Sequence, residues 1–334
     1  MPATEVDQLW RPVPGVYAQS GLPERVSVYE VGPRDGLQAE LTLIPTEIKA
    51  EFCRRLVGAG ITAIELTSFV SPKWIPQLAD AEQLLDHLSG SDQLMNGVAS
   101  PDTVRQVVLA PNRRGLDRAL VAGAREIAIF VSATETFAAR NLNTTIDGAL
   151  IAAQPVISGA SSAGLPVRGY ISMCFGDPWE GPVPPQVVAD IAERLLELGC
   201  STLSIGDTIG VATPGHVHGL IAALAARGIG PERLAMHFHD TYGQALANVY
   251  AALLDGIAEF DSSTGGLGRC PYAKGATGNL ATEDLLWMLH GLGITTGVDL
   301  DALVRTSLWM AEQIGHPSPS RVVAARAALE NTGG

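Results

Sequence analysis

Eight short runs rich in apolar and β-branched residues alternate along the chain with longer segments of helical periodicity. The helical segment PTEIKAEFCRRLVGAG is typical, because it begins with proline, ends near glycine and spaces Ile, Phe and Leu at helical intervals. Such alternation predicts βα units around a parallel sheet. The predicted strands are 25–30, 62–68, 93–99, 126–132, 167–174, 201–207, 233–239 and 258–263.

The number of strands selects between two parallel folds. An open doubly wound sheet usually carries a GxGxxG turn after an early strand, and this chain has none there. Eight βα units instead predict an α/β fold of the closed (β/α)8 type, a TIM barrel. We expect a catalytic barrel domain at 1–300 and an extra C-terminal helical segment at 301–334, packed on the barrel.

Composition narrows the classes of partner and the cellular compartment. The chain has 334 residues, of which 46% are hydrophobic, and a formal charge of -13, which argues against general nucleic-acid binding. No apolar run is long enough for a membrane helix, and Arg11 is the one cation in the first twenty residues, so no targeting peptide is indicated. The four cysteines show no CxxC spacing, and Cys53 and Cys200 are expected to pack in the core. We therefore expect a cytoplasmic protein.

Polar residues follow the predicted strands at the end where TIM barrels place their chemistry. Catalytic groups in this fold come from the carboxyl ends of several strands. The candidate residues are Arg34, Asp35 and Gln38 after the first strand, Glu65 in the second, Asp207 in the sixth, and His237 and His239 in the seventh. Carboxylates inside apolar strands must be hydrogen-bonded, so Glu65 and Asp207 belong either to a structural network or to supports of the site.

The histidine pair in MHFHDTYGQALAN, residues 236–248, is the sharpest local signal. Residues two apart on a strand point to the same side, roughly 6.5 to 7 Å apart, so His237 and His239 can reach one ion. His216 and His218 have the same spacing at a predicted helix start, where about 100° per residue separates them, so we interpret that pair as structural. A hydrogen-bonded core pair remains the alternative for His237 and His239.

Two further residues favour a metal. Strands 1 and 8 meet in a closed barrel, so Asp35 and Asn279 should be neighbours. Together with His237 and His239 they form a set of oxygen and nitrogen donors without a thiolate, which suits Mg²⁺ or Mn²⁺ better than structural zinc.

Several long motifs resemble one family. EVGPRDGLQAE, ELTSFVSPKWIPQLAD, SIGDTIGVATPG, HFHDTYGQALAN and GLGRCPYAKGATGNLATEDL are similar to segments of the 3-hydroxy-3-methylglutaryl-CoA lyases, over about residues 25–300. That family consists of metal-dependent barrels, commonly homodimers, that cleave hydroxymethylglutaryl-CoA to acetyl-CoA and acetoacetate. The resemblance implies metal ligands at Asp35, His237, His239 and Asn279, catalytic residues at Arg34, Asp35, Glu65, Asp207, His237 and Cys270, and acyl-CoA contacts at Arg34 and Gln38.

The residue types suit this reaction. Cleavage requires removal of a hydroxyl proton, for which Asp35 or His237 is a candidate, and stabilisation of the departing enolate. Arg34 is a permanent forked cation for the thioester oxygen. The resemblance implies that Cys270, in the glycine-rich segment 265–278, gives a proton to the enolate carbon. We favour a lid over a plain connector for this segment.

Three departures and several rival functions remain. Arg269 stands where the family usually has glycine, residues 39–42 differ from the family pattern, and the tail lacks the terminal cysteine of animal members. The alternatives are a lyase for a longer 3-hydroxy-3-alkylglutaryl-CoA, an acetyl-CoA-dependent 2-oxo acid synthase, and a non-catalytic metabolite-binding barrel. A Schiff-base aldolase is disfavoured, because none of the three lysines falls in a predicted strand. The resemblance implies chemistry of the leucine-degradation or ketone-body type, and the sequence does not select the pathway.

Overall fold

The structure, a computed structural model, describes residues 13–89, 104–268 and 278–331. Within them, eight parallel strands close into a ring in which each strand pairs with its neighbours in sequence and the eighth pairs with the first. The strands are β1 (Ser27–Glu30), β2 (Ala63–Ser68), β3 (Arg105–Leu109), β4 (Glu126–Ser132), β5 (Val167–Ser172), β6 (Thr202–Asp207), β7 (Leu234–Phe238) and β8 (Glu259–Ser262). The predicted (β/α)8 barrel is confirmed.

Among the residues that the structure describes, one long helix follows each strand, and two more lie beyond the barrel. The helices are α1 (Thr46–Gly58), α2 (Ala81–Leu88), α3 (Arg113–Val121), α4 (Ile146–Ser162), α5 (Pro185–Leu198), α6 (Pro214–Ala225), α7 (Ala245–Leu254), α8 (Thr282–Gly291), α9 (Leu300–Ile314) and α10 (Arg321–Asn331). No helix within the described ranges is both long and apolar enough to cross a bilayer.

The third strand differs from the sequence prediction. The predicted run 93–99 lies outside the described residues, and the third position in the barrel is held by β3, which pairs with β2 and β4. Its first two residues, Arg105 and Gln106, are polar and only partly buried. The apolar pattern of the strand is therefore limited to Val107, Val108 and Leu109. A strand that begins with polar residues is weakly marked in sequence.

Burial follows the expected periods. The inward face of α1 carries Ala50, Phe52, Cys53 and Leu56, all fully buried against the barrel wall. Cys200 is also buried, which agrees with a packing role for both cysteines.

The C-terminal helices pack on the outside of the barrel. The side chain of Asp299 caps α9 by accepting hydrogen bonds from the backbone N–H groups of Asp301 and Ala302. Helix α9 packs against α1 and α8, and Ser320 at the start of α10 donates to Asp284 of α8 at 2.7 Å. The boundary between a barrel domain at 1–300 and a C-terminal segment at 301–334 remains a prediction. Helix α9 begins at Leu300, beside this boundary.

Two buried carboxylates fix the chain where it leaves β8. Glu30 accepts hydrogen bonds from the backbone N–H groups of Gly32 and Thr264 and from the hydroxyls of Thr264 and Thr282. Glu283, at the start of α8, accepts from the backbone N–H of Gly265 at 2.9 Å and from the hydroxyl of Ser307 on α9. The carboxylate of Glu283 therefore joins the exit of β8 to the C-terminal helices.

Glu283 should make stability depend on pH. Burial raises its pKa from 4.5 to about 8, so the folded protein keeps a proton that the unfolded chain releases above about pH 4.5. The resulting stabilisation is complete below pH 4.5 and is lost as the pH rises towards 8. We expect the free energy of unfolding, measured by urea titration, to fall less between pH 6 and 8.5 in Glu283→Gln than in the unaltered protein.

The control is Glu47→Gln, because the Glu47 side chain is 74% exposed on α1. Its pH dependence should parallel that of the unaltered protein. Identical pH dependence in all three proteins would show that Glu283 is not the group responsible.

Candidate active site and metal centre

The chain leaves β1 through a single wide helical turn, Gly32–Gly36, which carries Arg34 and Asp35 into the carboxyl-terminal mouth of the barrel. The turn lies very close to the exit of β8. A Cβ atom added at Gly36 would lie 2.8 Å from both the Leu267 Cβ and the Ser263 Oγ. Glycine is therefore required for the turn to bring Arg34 and Asp35 beside β8.

Arg34 is held in one orientation by two carboxylates. Its Nε and Nη2 atoms lie 2.8 and 2.7 Å from Oε2 of Glu65 on β2, and its Nη1 atom lies 2.6 Å from Oδ1 of Asp35. Tyr170 on β5 donates to the same Glu65 oxygen at 3.1 Å, and its ring centroid lies 5.6 Å from the Arg34 guanidinium carbon. Oε2 of Glu65 thus carries all of these contacts and supports Arg34, while Oε1 is buried without a hydrogen-bond partner among the described residues.

His237 of β7 and His239, which directly follows β7, point into the same mouth, while Phe238 between them is buried. The ring centroids of His237 and His239 are 5.2 Å apart. Ligand atoms of Asp35, His237 and His239 all lie within 4.8 Å of one another. Asn279 is bridged to His239 along the backbone and donates from Nδ2 to Asp35 Oδ2 at 2.9 Å. The structure therefore brings together the four predicted ligands.

Two buried polar atoms at this place are available as ligands. Nδ1 of His239 and Oδ1 of Asn279 are buried without a hydrogen-bond partner among the described residues. Buried polar atoms are almost always satisfied, so this pair calls for another group. A carboxylate, two imidazoles and an amide oxygen form a donor set that fits a divalent cation. The site is able to hold a metal ion.

The protonation states agree with ligation. Burial raises the pKa of Asp35, but Arg34 and the two histidines outweigh it and lower the pKa to about 2. Burial and the charge of His237 lower the pKa of His239 to about 4. At neutral pH Asp35 is ionised and His239 is neutral, the forms in which these side chains bind metals.

Asp261 on β8 was missed by the sequence interpretation. Its Oδ2 atom lies 3.2 Å from Nδ1 of His237 and accepts from Ser204 Oγ at 2.8 Å. A carboxylate behind a ligating imidazole is the usual support in metal sites. The available signal was the same as for Glu65, namely an acidic residue inside an apolar strand.

Asp207 lies at the end of β6 and shapes the following loop. Its carboxylate oxygens accept from the backbone N–H groups of Val211 and Ala212 at 2.9 and 3.1 Å. Burial, only partly offset by these bonds, raises its pKa to about 6, and its charge interacts with that of His237. Gln38 is exposed on the turn after Asp35. Cys270 and Arg269 lie outside the described residues.

The second histidine pair has structural partners, as predicted. His216 shares a reciprocal cap with Thr213 at the start of α6. His218 Nδ1 lies 2.6 Å from Asp255 Oδ2. The two side chains bind different groups, because a helix turns them apart.

Comparison with known proteins identifies relatives that all belong to one family. The family described as HMGL-like matches residues 25–309. The chain is 48% identical over 304 residues to the 3-hydroxy-3-isohexenylglutaryl-CoA/hydroxy-methylglutaryl-CoA lyase of Pseudomonas aeruginosa, covering 91% of this chain and 98% of that protein. It is 47% identical to the mitochondrial hydroxymethylglutaryl-CoA lyase of Arabidopsis thaliana, covering 91% of this chain but only 63% of that longer protein.

Solved structures agree. The crystal structure of hydroxymethylglutaryl-CoA lyase from Pseudomonas aeruginosa superposes with a TM-score of 0.86 at 47% identity, covering 92% of this chain and 99% of that one. A lyase from Acinetobacter baumannii, in complex with coenzyme A and 3-methylmalate, gives 0.82 at 35% identity, covering 92% and 97%. By sequence, fold and site geometry, the chain belongs to the HMGL-like family, among its hydroxymethylglutaryl-CoA lyases.

Proposed function

We propose that this chain cleaves 3-hydroxy-3-methylglutaryl-CoA into acetyl-CoA and acetoacetate with the help of Mg²⁺ or Mn²⁺. The observation that carries the proposal is the convergence of Asp35, His237 and His239 beside Arg34 in one mouth of the barrel. The names of its relatives, hydroxymethylglutaryl-CoA lyases at 45–48% identity, support the substrate class.

Asp35, His237, His239 and Asn279 are the proposed ligands. A bound divalent ion would supply Lewis-acid stabilisation of the substrate's oxygen atoms as the tertiary hydroxyl loses its proton. The protein supplies the orientation: Glu65 and Asp35 fix the Arg34 guanidinium, whose free N–H groups suit the thioester oxygen as it gains enolate charge. Gln38 is proposed as a further substrate contact.

The proton acceptor is constrained by hydrogen bonding. A His237 ring that donates from Nδ1 to Asp261 and ligates through Nε2 has no lone pair left for a proton. Asp35, with a pKa of about 2, is a weak base. Asp207, whose pKa burial raises to about 6, is a third candidate carried over from the family, although its oxygens already accept backbone N–H groups of the following loop.

Cys270 is the proposed donor to the enolate carbon. Both ends of the segment 269–277 are attached beside the proposed ligands. The carbonyl of Leu267 accepts from Asn279 Nδ2 at 3.1 Å, and the carbonyl of Gly278 accepts from the backbone N–H of Asp240 at 2.8 Å. We propose that this glycine-rich segment, whose residues 269–277 lie outside the described ranges, is a lid that excludes water and protects the enolate from stray protons.

One alternative substrate has specific support. The Pseudomonas aeruginosa relative is named for both 3-hydroxy-3-isohexenylglutaryl-CoA and hydroxymethylglutaryl-CoA. A longer 3-hydroxy-3-alkylglutaryl-CoA is therefore the second candidate substrate.

We also propose that the protein is a cytoplasmic homodimer that acts in leucine degradation. Relatives named cytoplasmic and mitochondrial both occur.

Metal dependence is the direct test of the function. Protein incubated with hydroxymethylglutaryl-CoA and Mg²⁺ or Mn²⁺ should release acetoacetate, and chelator should abolish the release until metal is restored. His239→Ala should weaken Mn²⁺ binding at least tenfold and reduce turnover, because it removes a ligand. His218→Ala is the matched control from the helical pair and should change neither quantity. Turnover that survives exhaustive chelation, or a fully metallated His239→Ala protein, would contradict the proposal.

The role of Cys270 is tested separately. Cys270→Ala should lower kcat by about 10² to 10⁴, the usual contribution of a positioned general acid, while Mn²⁺ content stays unchanged. Cys53→Ala, a substitution in the core under α1, should keep kcat within about twofold once the protein is folded. Acetoacetate formation measured by coupled assay gives kcat, and metal analysis gives the content. An unaffected kcat in Cys270→Ala would remove the thiol from the mechanism.

A further inference from the structure

The interior of the barrel contains charges where aliphatic side chains are usual. Inward-facing positions of β3, β4, β5 and β8 carry Arg105, Glu126, Arg168, Glu259 and Asp261, which we call the interior ion-pair network. Arg168 is fully buried and is among the largest buried side chains of the described residues. TIM-barrel interiors are normally filled by layers of Val, Ile and Leu, and a buried ion pair is seldom a net source of stability.

The network runs from one end of the barrel towards the metal site. Arg105, near the amino-terminal mouth, contacts Glu126 at 2.8 Å and Glu259 at 2.7 Å. Glu259 also pairs with Arg168, and Arg168 Nη2 lies 2.5 Å from Oδ1 of Asp261. The other oxygen of Asp261 faces Nδ1 of His237. One continuous set of contacts thus ends on a proposed metal ligand.

Arg168 is itself held in place from several sides. Its guanidinium carbon lies 4.0 Å from the ring centroid of Tyr29 and 5.4 Å from that of Tyr170. Two of its nitrogens are bound by separate carboxylates, Glu259 and Asp261. The forked guanidinium can satisfy both at once, which a lysine ammonium cannot do with the same geometry. The position of Asp261 is therefore set by a group that has little freedom to move.

We propose that Arg168 is a positioning residue for the metal site, which acts through Asp261 on the orientation and tautomer of His237. Asp261, fixed by Arg168 and Ser204, accepts the hydrogen of His237 Nδ1. The hydrogen on Nδ1 leaves the lone pair on Nε2, the nitrogen then free for a ligand. This role rests on the proposed metal site and adds a residue that touches neither metal nor substrate.

Three variants separate positioning from general stability. Arg168→Met removes the group that fixes Asp261, and Asp261→Asn keeps the shape of Asp261 while removing its charge. Glu259→Gln is the matched control, because it removes the other carboxylate of Arg168 and leaves the contact between Arg168 and Asp261 in place. Each full-length protein is stripped of metal and titrated with Mn²⁺, with free Mn²⁺ followed by electron paramagnetic resonance, and its thermal unfolding midpoint is measured in parallel.

We expect Arg168→Met and Asp261→Asn to weaken Mn²⁺ binding by about 10- to 100-fold, the usual effect of losing the support behind a ligand. The Mn²⁺ affinity of Glu259→Gln should stay within about threefold of that of the unaltered protein. This should hold even if its thermal unfolding midpoint falls as far as those of Arg168→Met and Asp261→Asn. If Arg168→Met does not fold, Arg168→Lys replaces it in the comparison with Glu259→Gln, because a lysine ammonium cannot bind both carboxylates with the same geometry.

Two results would overturn the inference. One is an Mn²⁺ affinity within threefold of the unaltered protein in a folded Arg168 variant or in Asp261→Asn. The other is a loss of affinity in Glu259→Gln as large as in Asp261→Asn, which would mark the network as structural only. If either result is obtained and the unaltered protein binds Mn²⁺, the proposed function stands and only the role of Arg168 is refuted. If the unaltered protein binds no Mn²⁺, both the role of Arg168 and the proposed function are refuted.

Discussion

Closure of the barrel between β1 and β8 is the constraint on which the site depends. The parallel pairing of Ser27 with Glu259 and of Glu30 with Ser262 brings the turn after β1 against the chain that leaves β8. Asp35 and Asn279, 244 residues apart in sequence, then lie within hydrogen-bond distance. An open sheet would leave β1 and β8 on separate edges, and the proposed ligands Asp35, His237, His239 and Asn279 would have no common centre.

The site also requires several charged side chains to be buried, and the architecture must offset the free-energy cost of their desolvation. Arg34, Glu65, Arg168 and Asp261 are all buried, and each is bonded to an opposite charge. Removing one member of such a pair leaves the other uncompensated in a low-dielectric interior, where the penalty is several kcal/mol. The barrel therefore holds these groups rigidly, and rigid placement of charge is what stabilises a developing enolate without reorganisation.

The sequence predicted the parts that obey simple periods. Alternation of strands and helices gave the barrel, and the rule that chemistry lies at the carboxyl ends brought Arg34, Asp35, Glu65 and His237 together. It did not identify β3, whose first residues are polar, nor the interior ion-pair network. Arg168 stands alone in a strand pattern, and its partners Glu259 and Asp261 are 91 and 93 residues away. Such pairs are defined only by the closed ring.

Comparison of the two histidine pairs distinguishes the effect of residue identity from the effect of backbone geometry. His237 lies on β7 and His239 directly follows it in extended backbone bridged to Asn279, so both face one cavity and share neighbours with Asp35. His216 and His218 have the same spacing on α6, and their rings bind Thr213 and Asp255 respectively. Imidazole chemistry is identical in the two cases, and so is the separation in sequence. The difference lies in the rotation per residue, about 180° in a strand against about 100° in a helix. A histidine motif predicts a metal site only when the backbone that carries it has been assigned.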